Sequence, residues 1–188
     1  KPIGLLLPGD REITLSAERL YKGKIIDLEL SEVRLPNGRT ARREAVRHPG
    51  GAAVLLVKDG MVLMERQFRF PYGKVIWEIP AGKLNSGEDP CSAALRELEE
   101  ETGWRAKNLE RLAEIYPSPG YTDEIIYIFF ATEAEFSRQH PDDDEFVNCR
   151  FIDIDECIAM CENGEISDAK TLVALYKYAY DSNKKKGP

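Results

Sequence analysis

A chain of 188 residues, 43% hydrophobic and 31% charged, suits one globular core and excludes a fibrous or disordered polymer. Its formal charge of −7 argues against a surface that neutralises bare nucleic-acid phosphates. No run approaches about 18 apolar residues, and the short leucine run near the start lacks a small-residue cleavage site. Neither a membrane span nor a secretory leader is therefore expected, and the expected compartment is the cytoplasm.

In chain order, residues 24–35 and 40–47 are strand-like, and Pro36-Asn37-Gly38 between them predicts an antiparallel hairpin. The apolar runs at residues 52–57 and 61–68 flank Lys58-Asp59-Gly60, which predicts a second hairpin. Residues 89–102 carry the strongest helical signal: Cys91, Ala94, Leu95 and Leu98 form one stripe, and Gly103 supplies the stop. Strands are expected at 109–116, 125–131 and 149–154. Helices are expected at 154–162 and 167–180, the latter capped by Ser167, with residues 181–188 as a frayed tail. This alternation predicts a mixed sheet with helices on its faces, an α/β or α+β sandwich. The cysteines Cys91, Cys149, Cys157 and Cys161 form no CxxC pair and complete no zinc spacing with His48 or His140, so reduced thiols are expected.

The chemistry concentrates in residues 82–104, GKLNSGEDPCSAALRELEEETGW. At 100° per residue, Glu97, Glu100 and Glu101 share about a quarter turn of the helix, while Leu95 and Leu98 point elsewhere. Clustered carboxylates oppose helix formation by about 0.2–0.5 kcal/mol per pair, and hard divalent cations remove that penalty. Arg96 reaches Glu99 or Glu100 at i+3 and i+4 and would orient a carboxylate toward the metal. The glycine-containing loop 82–87 lets backbone carbonyls approach from the other side. A bare Glu-Glu-Glu run is ordinarily a solvated helix face. Here, however, the pattern G-x5-E-x7-R-E-U-x-E-E-x-G-U is met at Gly82, Glu88, Arg96, Glu97, Leu98, Glu100, Glu101, Gly103 and Trp104. From average residue frequencies, that match arises by chance in a chain this long with a probability below about 10⁻⁶.

This segment resembles the signature box of the Nudix hydrolases, which split nucleoside diphosphates linked to another moiety. The resemblance implies an α/β/α sandwich with a mixed sheet, and a requirement for Mg²⁺, with Mn²⁺ as a substitute. It makes Glu97 and Glu101 metal ligands, Glu100 a ligand or base, and the Ala81 carbonyl a backbone ligand. It makes Gly82, Glu88, Arg96 and Gly103 structural. It also divides the chain into an N-terminal β arm at 1–48, which helps to build a homodimer and the substrate site, and a Nudix domain at 49–188.

Outside the box the chain is similar to the ADP-ribose pyrophosphatase branch. The likeness lies in RQFRFPYGKVIWEIPAGKL, YPSPGYTDE and SDAKTLVAL, and in a proline, Pro119, about fifteen residues beyond the box. It implies that Arg69, Glu78, Pro119 and Gly120 contact substrate. It also implies that the acidic loop 140–146 carries a catalytic and metal-binding glutamate. Glu145 is the expected residue, with Asp143 and Asp144 as alternatives and His140 as a bystander. Phe68, Phe70 and Tyr121 are candidates for stacking on a base, although exposed strand aromatics more often pack. The expected reaction is hydrolysis of ADP-ribose to AMP and ribose 5-phosphate. Nucleotide sugars such as GDP-mannose and dinucleoside polyphosphates are the alternative substrates. A non-catalytic ligand sensor is the remaining alternative, and the intact box disfavours it.

Overall fold

Two tight turns close the β-hairpins expected from the sequence. Gly38, at φ 84°, closes the first hairpin with its N–H on the Leu35 carbonyl at 2.9 Å. Asp59 and Gly60, at φ 53° and 78°, close the second in the left-handed geometry that matches strand twist. The computed structural model describes residues 11–138 and 147–186. The chain divides into one unit up to Pro49 that also takes Ser118–Glu124, and a second made of Gly50–Pro117 and the chain from Ile125 onward.

The first unit is an antiparallel sheet of β1 (Ile13–Lys22), β2 (Asp27–Arg34) and β3 (Thr40–Arg47), with β2 central. The sequence predicted β2 and β3 but not β1. Every residue of β1 is exposed, including Ile13, Leu15 and Leu20, so no buried alternation marks it. Cross-strand charge holds this sheet: Arg19 lies 3.2 Å from Asp27, and Arg47 spans Glu29 at 2.7 Å and Asp123 at 3.1 Å. The Val46 N–H donates to the Tyr121 carbonyl at 2.7 Å, which ties Ser118–Glu124 to β3.

The second unit is a three-layer sandwich around a seven-stranded mixed sheet. Its elements are β4 (Gly51–Lys58), β5 (Met61–Arg69), β6 (Lys74–Glu78), β7 (Ala81–Lys83), α1 (Pro90–Thr102), β8 (Trp104–Ala106), β9 (Glu110–Ile115), β10 (Ile126–Ala131), β11 (Ala134–Phe136), β12 (Asn148–Asp153), α2 (Ile154–Glu162) and α3 (Ala169–Lys186). The main order is β12-β5-β4-β10-β9, and only β4 with β10 is parallel. Burial on both faces follows from period two. Ala53, Leu55 and Val57 pack with Cys157, Met160, Ala174 and Leu175 of α2 and α3, while Ala52, Val54 and Leu56 pack with Ala93, Ala94 and Leu98 of α1. The α/β sandwich expected from the alternation of elements is thus observed.

Two expectations need correction. The cap of α3 is Asp168 rather than Ser167, because Asp168 Oδ2 meets the Thr171 N–H three residues on, at 3.0 Å. The helix also runs through Lys186 instead of fraying after Tyr180. The Lys177–Asp181 pair at 3.2 Å supports its last turns, and lysines suit the negative end of a helix. No described helix is long and apolar enough to cross a membrane.

Candidate active site

The site grows from a fork in the sheet. β4 and β5 pair only beside their turn, at Val57 with Val62 and Lys58 with Met61, and then diverge. Into the fork come β6, paired along β5, and β7, paired along β4. Pro80 cannot donate to a ladder, so it separates the two short strands where the sequence reads as one apolar run. Its carbonyl still accepts the Val54 N–H at 2.9 Å. The fork thereby holds Glu78 and Ala81 three residues apart at fixed positions.

Helix α1 lies against this fork with well-defined ends. Asp89 caps it through the Ser92 N–H at 3.0 Å, Pro90 takes the first turn, and Gly103 at φ 75° closes it onto the Glu99 carbonyl at 2.8 Å. Leu98 and Ala94, fully buried, fix its rotation, so Glu97, Glu100 and Glu101 come to one face. Their exposure is graded. The Glu100 side chain is 43% exposed and that of Glu97 14%, while Glu101 as a residue is 2% exposed. Glu101 Oε2 accepts the Ala81 N–H at 3.0 Å, which locks the helix to β7.

Arg96 gathers the rest. Its Nη1 donates to Glu97 Oε1 at 2.7 Å and Glu100 Oε2 at 2.9 Å, while Nε and Nη2 take the two oxygens of Glu88, each at 2.9 Å. The Lys83 carbonyl completes the set at 3.2 Å. Of the two contacts expected for Arg96, Glu99 or Glu100, it makes that with Glu100, and Arg105 holds Glu99 at 2.7 Å. Arg96 and the Asn85 N–H hold the Glu88 carboxyl down at about 2, and Glu88 in return raises Arg96. Gly82 has a steric role, since a Cβ placed there would lie 1.9 Å from Glu97 Cδ. The missing side chain is what lets the Glu97 carboxylate lie against the backbone beside Ala81.

These donors suit a magnesium-type cation, which takes carboxylate and carbonyl oxygens and usually keeps one or two protein carboxylates, several waters and substrate phosphates. Among the described residues no three or more acidic, histidine or cysteine side chains converge on one point. Glu97 and Glu100 are instead spanned by the Arg96 guanidinium, so a cation here would share its coordination with solvent and diphosphate oxygens.

A second charged group adjoins the fork. Arg69 grips Glu78 in a two-bond fork, Nε to Oε1 at 2.6 Å and Nη2 to Oε2 at 2.9 Å, and Lys170 of α3 also hydrogen-bonds Glu78. Glu78 is 1% exposed. Burial pushes its carboxyl up, but Arg69 and Lys170 outweigh burial and hold it below the usual range. Glu65, fully buried and opposite Glu78 in the ladder, adds a carboxylate that acts on Arg69 together with Glu101. The same two carboxylates join burial in pushing the Cys149 thiol up to about 12.

The structure thus brings Ala81, Gly82, Glu88, Arg96, Glu97, Glu100 and Glu101 together around α1 and pairs Arg69 with Glu78. Pro119 and Gly120 belong to the other unit, in the segment beside β3. Glu145, His140, Asp143 and Asp144 lie outside the described residues. The sequence reading missed Glu65, Asp168, Lys170 and Thr171. The signal for Glu65 was its register two residues from apolar Leu63 on the same strand face. For the other three it was the capping spacing inside SDAKT.

Comparison with known proteins gives the family and the fold. The NUDIX domain family model matches residues 46–175. An ADP-ribose pyrophosphatase of Bacillus subtilis (strain 168) is 46% identical over 167 residues, which is 87% of this chain and 90% of the relative. A methanol dehydrogenase activator of Bacillus methanolicus is 41% identical over 167 residues with the same coverage. A solved structure described as an ADP compounds hydrolase superposes with a TM-score of 0.81 at 21% identity, over 94% of this chain and 96% of that one, which shows a shared fold.

Proposed function

The chain belongs to the Nudix hydrolase family as a pyrophosphohydrolase, and from that premise we propose that it uses Mg²⁺, or Mn²⁺ in its place, to hydrolyse ADP-ribose to AMP and ribose 5-phosphate. One observation carries the reading: an anionic face of Glu97, Glu100 and Glu101 is locked by Glu101 to Ala81 at one end of the sheet fork, and a guanidinium, Arg69, is held on Glu78 three residues away in the same fork. A diphosphate needs both, cations for its oxygens and a planar donor fork to orient it.

When bound, a divalent cation lowers the pKa of a coordinated water and offsets the charge that builds on the diphosphate. Glu97, Glu101 and the Ala81 carbonyl would hold it, with Glu101 already oriented by the Ala81 N–H. Glu100, the most exposed of the three, completes the set or accepts the proton that the attacking water loses. Glu145 is the other proposed proton acceptor and cation ligand. Arg96 keeps Glu97 and Glu100 from drifting apart by holding both, and Glu88 anchors Arg96 to the loop. Arg69 turns its remaining nitrogen to a diphosphate oxygen. The assignment of Pro119 and Gly120 to substrate rests on family likeness alone.

A second copy of the chain is the proposed partner of β1, an edge strand with Ile13, Leu15 and Leu20 exposed. Solution mass of a version lacking residues 1–48 tests this: a monomer is expected, and a truncated dimer refutes it. Substrate is tested by hydrolysis of ADP-ribose, GDP-mannose, UDP-glucose and diadenosine polyphosphates with Mg²⁺ and with a chelator. ADP-ribose should lead in kcat/KM by about tenfold or more, equal to about 1.4 kcal/mol of transition-state discrimination. A higher value for another substrate would reassign the leaving group, and full activity in chelator would remove the metal.

A further inference from the structure

The strand end that carries Glu78 and leads to Ala81 is held by the first turn of α3. Thr171 Oγ1 accepts the Ile79 N–H at 3.0 Å and donates to Asp168 Oδ2 at 2.6 Å. Lys170 stands between two anions, with Nζ 3.1 Å from Asp168 Oδ2 and hydrogen-bonded to Glu78 Oε2. None of this cluster is on open surface: Lys170 is 7% exposed, Glu78 1% and Thr171 0%. A buried ammonium is costly to keep, and tethering α3 to the sheet does not require one, because the Thr171 hydroxyl already does so without charge.

The charge has a use at Arg69. Arg69 gives Nε and Nη2 to Glu78, and a lone Arg–Glu pair is electrically neutral, hence a weak receptor for an anion. With Lys170 on the same carboxylate, Glu78 is shared between two cations and offsets less of the guanidinium's charge, on which the Glu65 and Glu101 carboxylates also act. Asp168 works the other way, drawing part of the ammonium's field from Glu78. We propose that Lys170 is a positioning residue for substrate: it holds Glu78 and takes up part of its charge, so that Arg69 Nη1 can take a diphosphate oxygen. The inference rests on the reading above that the substrate carries a diphosphate. Although burial opposes the charged form, Asp168 and Glu78 outweigh it and raise the Lys170 pKa, so the ammonium is present at neutral pH.

The test uses the full chain and two readouts, steady-state hydrolysis of ADP-ribose and calorimetric binding of ADP in chelator, where no cation contributes. Lys170→Met should raise KM and weaken ADP binding by about tenfold, with kcat held within about threefold, from loss of one charge acting across a partly buried site. Lys170→Arg, which keeps the charge, should restore both. Asp168→Asn shifts the local charge the opposite way while leaving an oxygen for Thr171, so its KM should fall by about threefold. A merely structural role predicts instead that Lys170→Met and Asp168→Asn both raise KM or both lower kcat, and that result overturns the proposal. So does wild-type KM and ADP binding in folded Lys170→Met. Should Lys170→Met fail to fold, Asp168→Asn decides, and a KM at or above wild type overturns the idea. Failure of the wild-type protein to bind ADP or to turn over ADP-ribose would instead refute the underlying functional reading, before any variant is compared.

Discussion

Gly82→Ala isolates the steric demand of the site from its charges. The new methyl would start 1.9 Å from Glu97 Cδ and 2.1 and 2.3 Å from its two oxygens. Ordinary contact begins at 3.4 Å, so the carboxylate must withdraw by about 1.5 Å. The obstruction is the end of a flexible side chain, and Gly82 sits in β7 without a positive φ, so the backbone has no reason to distort. The Glu97–Arg96 hydrogen bond at 2.7 Å is lost in the move, at a cost of about 1 kcal/mol for a partly exposed pair. Stability should therefore fall little, by a few degrees in Tm. Turnover should fall much further, because about 1 Å of misplacement at a reacting group costs on the order of 10²-fold. The apparent affinity for Mg²⁺ should weaken in parallel if Glu97 is a ligand. Thermal denaturation, ADP-ribose turnover and a Mg²⁺ titration of that turnover provide the measurement. A folded Gly82→Ala protein with kcat within about threefold of wild type would show that the Glu97 carboxylate has no required position, and the metal reading of α1 would fail with it.

Glu101→Gln and Glu97→Gln keep shape and remove charge. Each should lower kcat by about 10²–10⁴-fold with an unchanged circular dichroism spectrum, and wild-type rates in both would refute the ligand assignment. The Glu88 carboxyl titrates at about 2 in the folded chain against an ordinary 4.5, so its stabilisation is complete above about 4.5 and is lost as pH falls through about 2. Urea denaturation should therefore find Glu88→Gln less stable than wild type at pH 6 by about 1 kcal/mol, with the difference shrinking toward pH 2.5; a constant difference would mean that the Arg96 pair is not its source. Leu98→Ala, at a fully buried position under α1, should cost about 2–5 kcal/mol in the same assay, and a loss under 1 kcal/mol would mean that α1 packs differently from the arrangement described.

Local chemistry sets what could be read without coordinates. The cap at Asp89, the stop at Gly103 and the left-handed turn at Asp59-Gly60 each depend on residues within a few positions of one another, and periodicity alone turns Glu97, Glu100 and Glu101 to one side of α1. The carboxylate face of α1 and the second hairpin were legible for that reason. β1 was not, since a strand exposed throughout carries no alternation to detect, and Pro80's division of one apolar run into β6 and β7 depends on how β4 and β5 splay. Partner choice was decided at longer range. Arg96 gathers Glu88, Glu97 and Glu100 from its own helix and loop, while Glu99 is taken by Arg105, past the helix end. Lys170 meets Glu78 across 92 positions of sequence, a pairing that exists only once α3 has packed beside the fork. Residue spacing decides which way a side chain faces, but the packing of distant elements decides which charge it meets, because electrostatic and hydrogen-bond partners are chosen by distance in space after the core has closed.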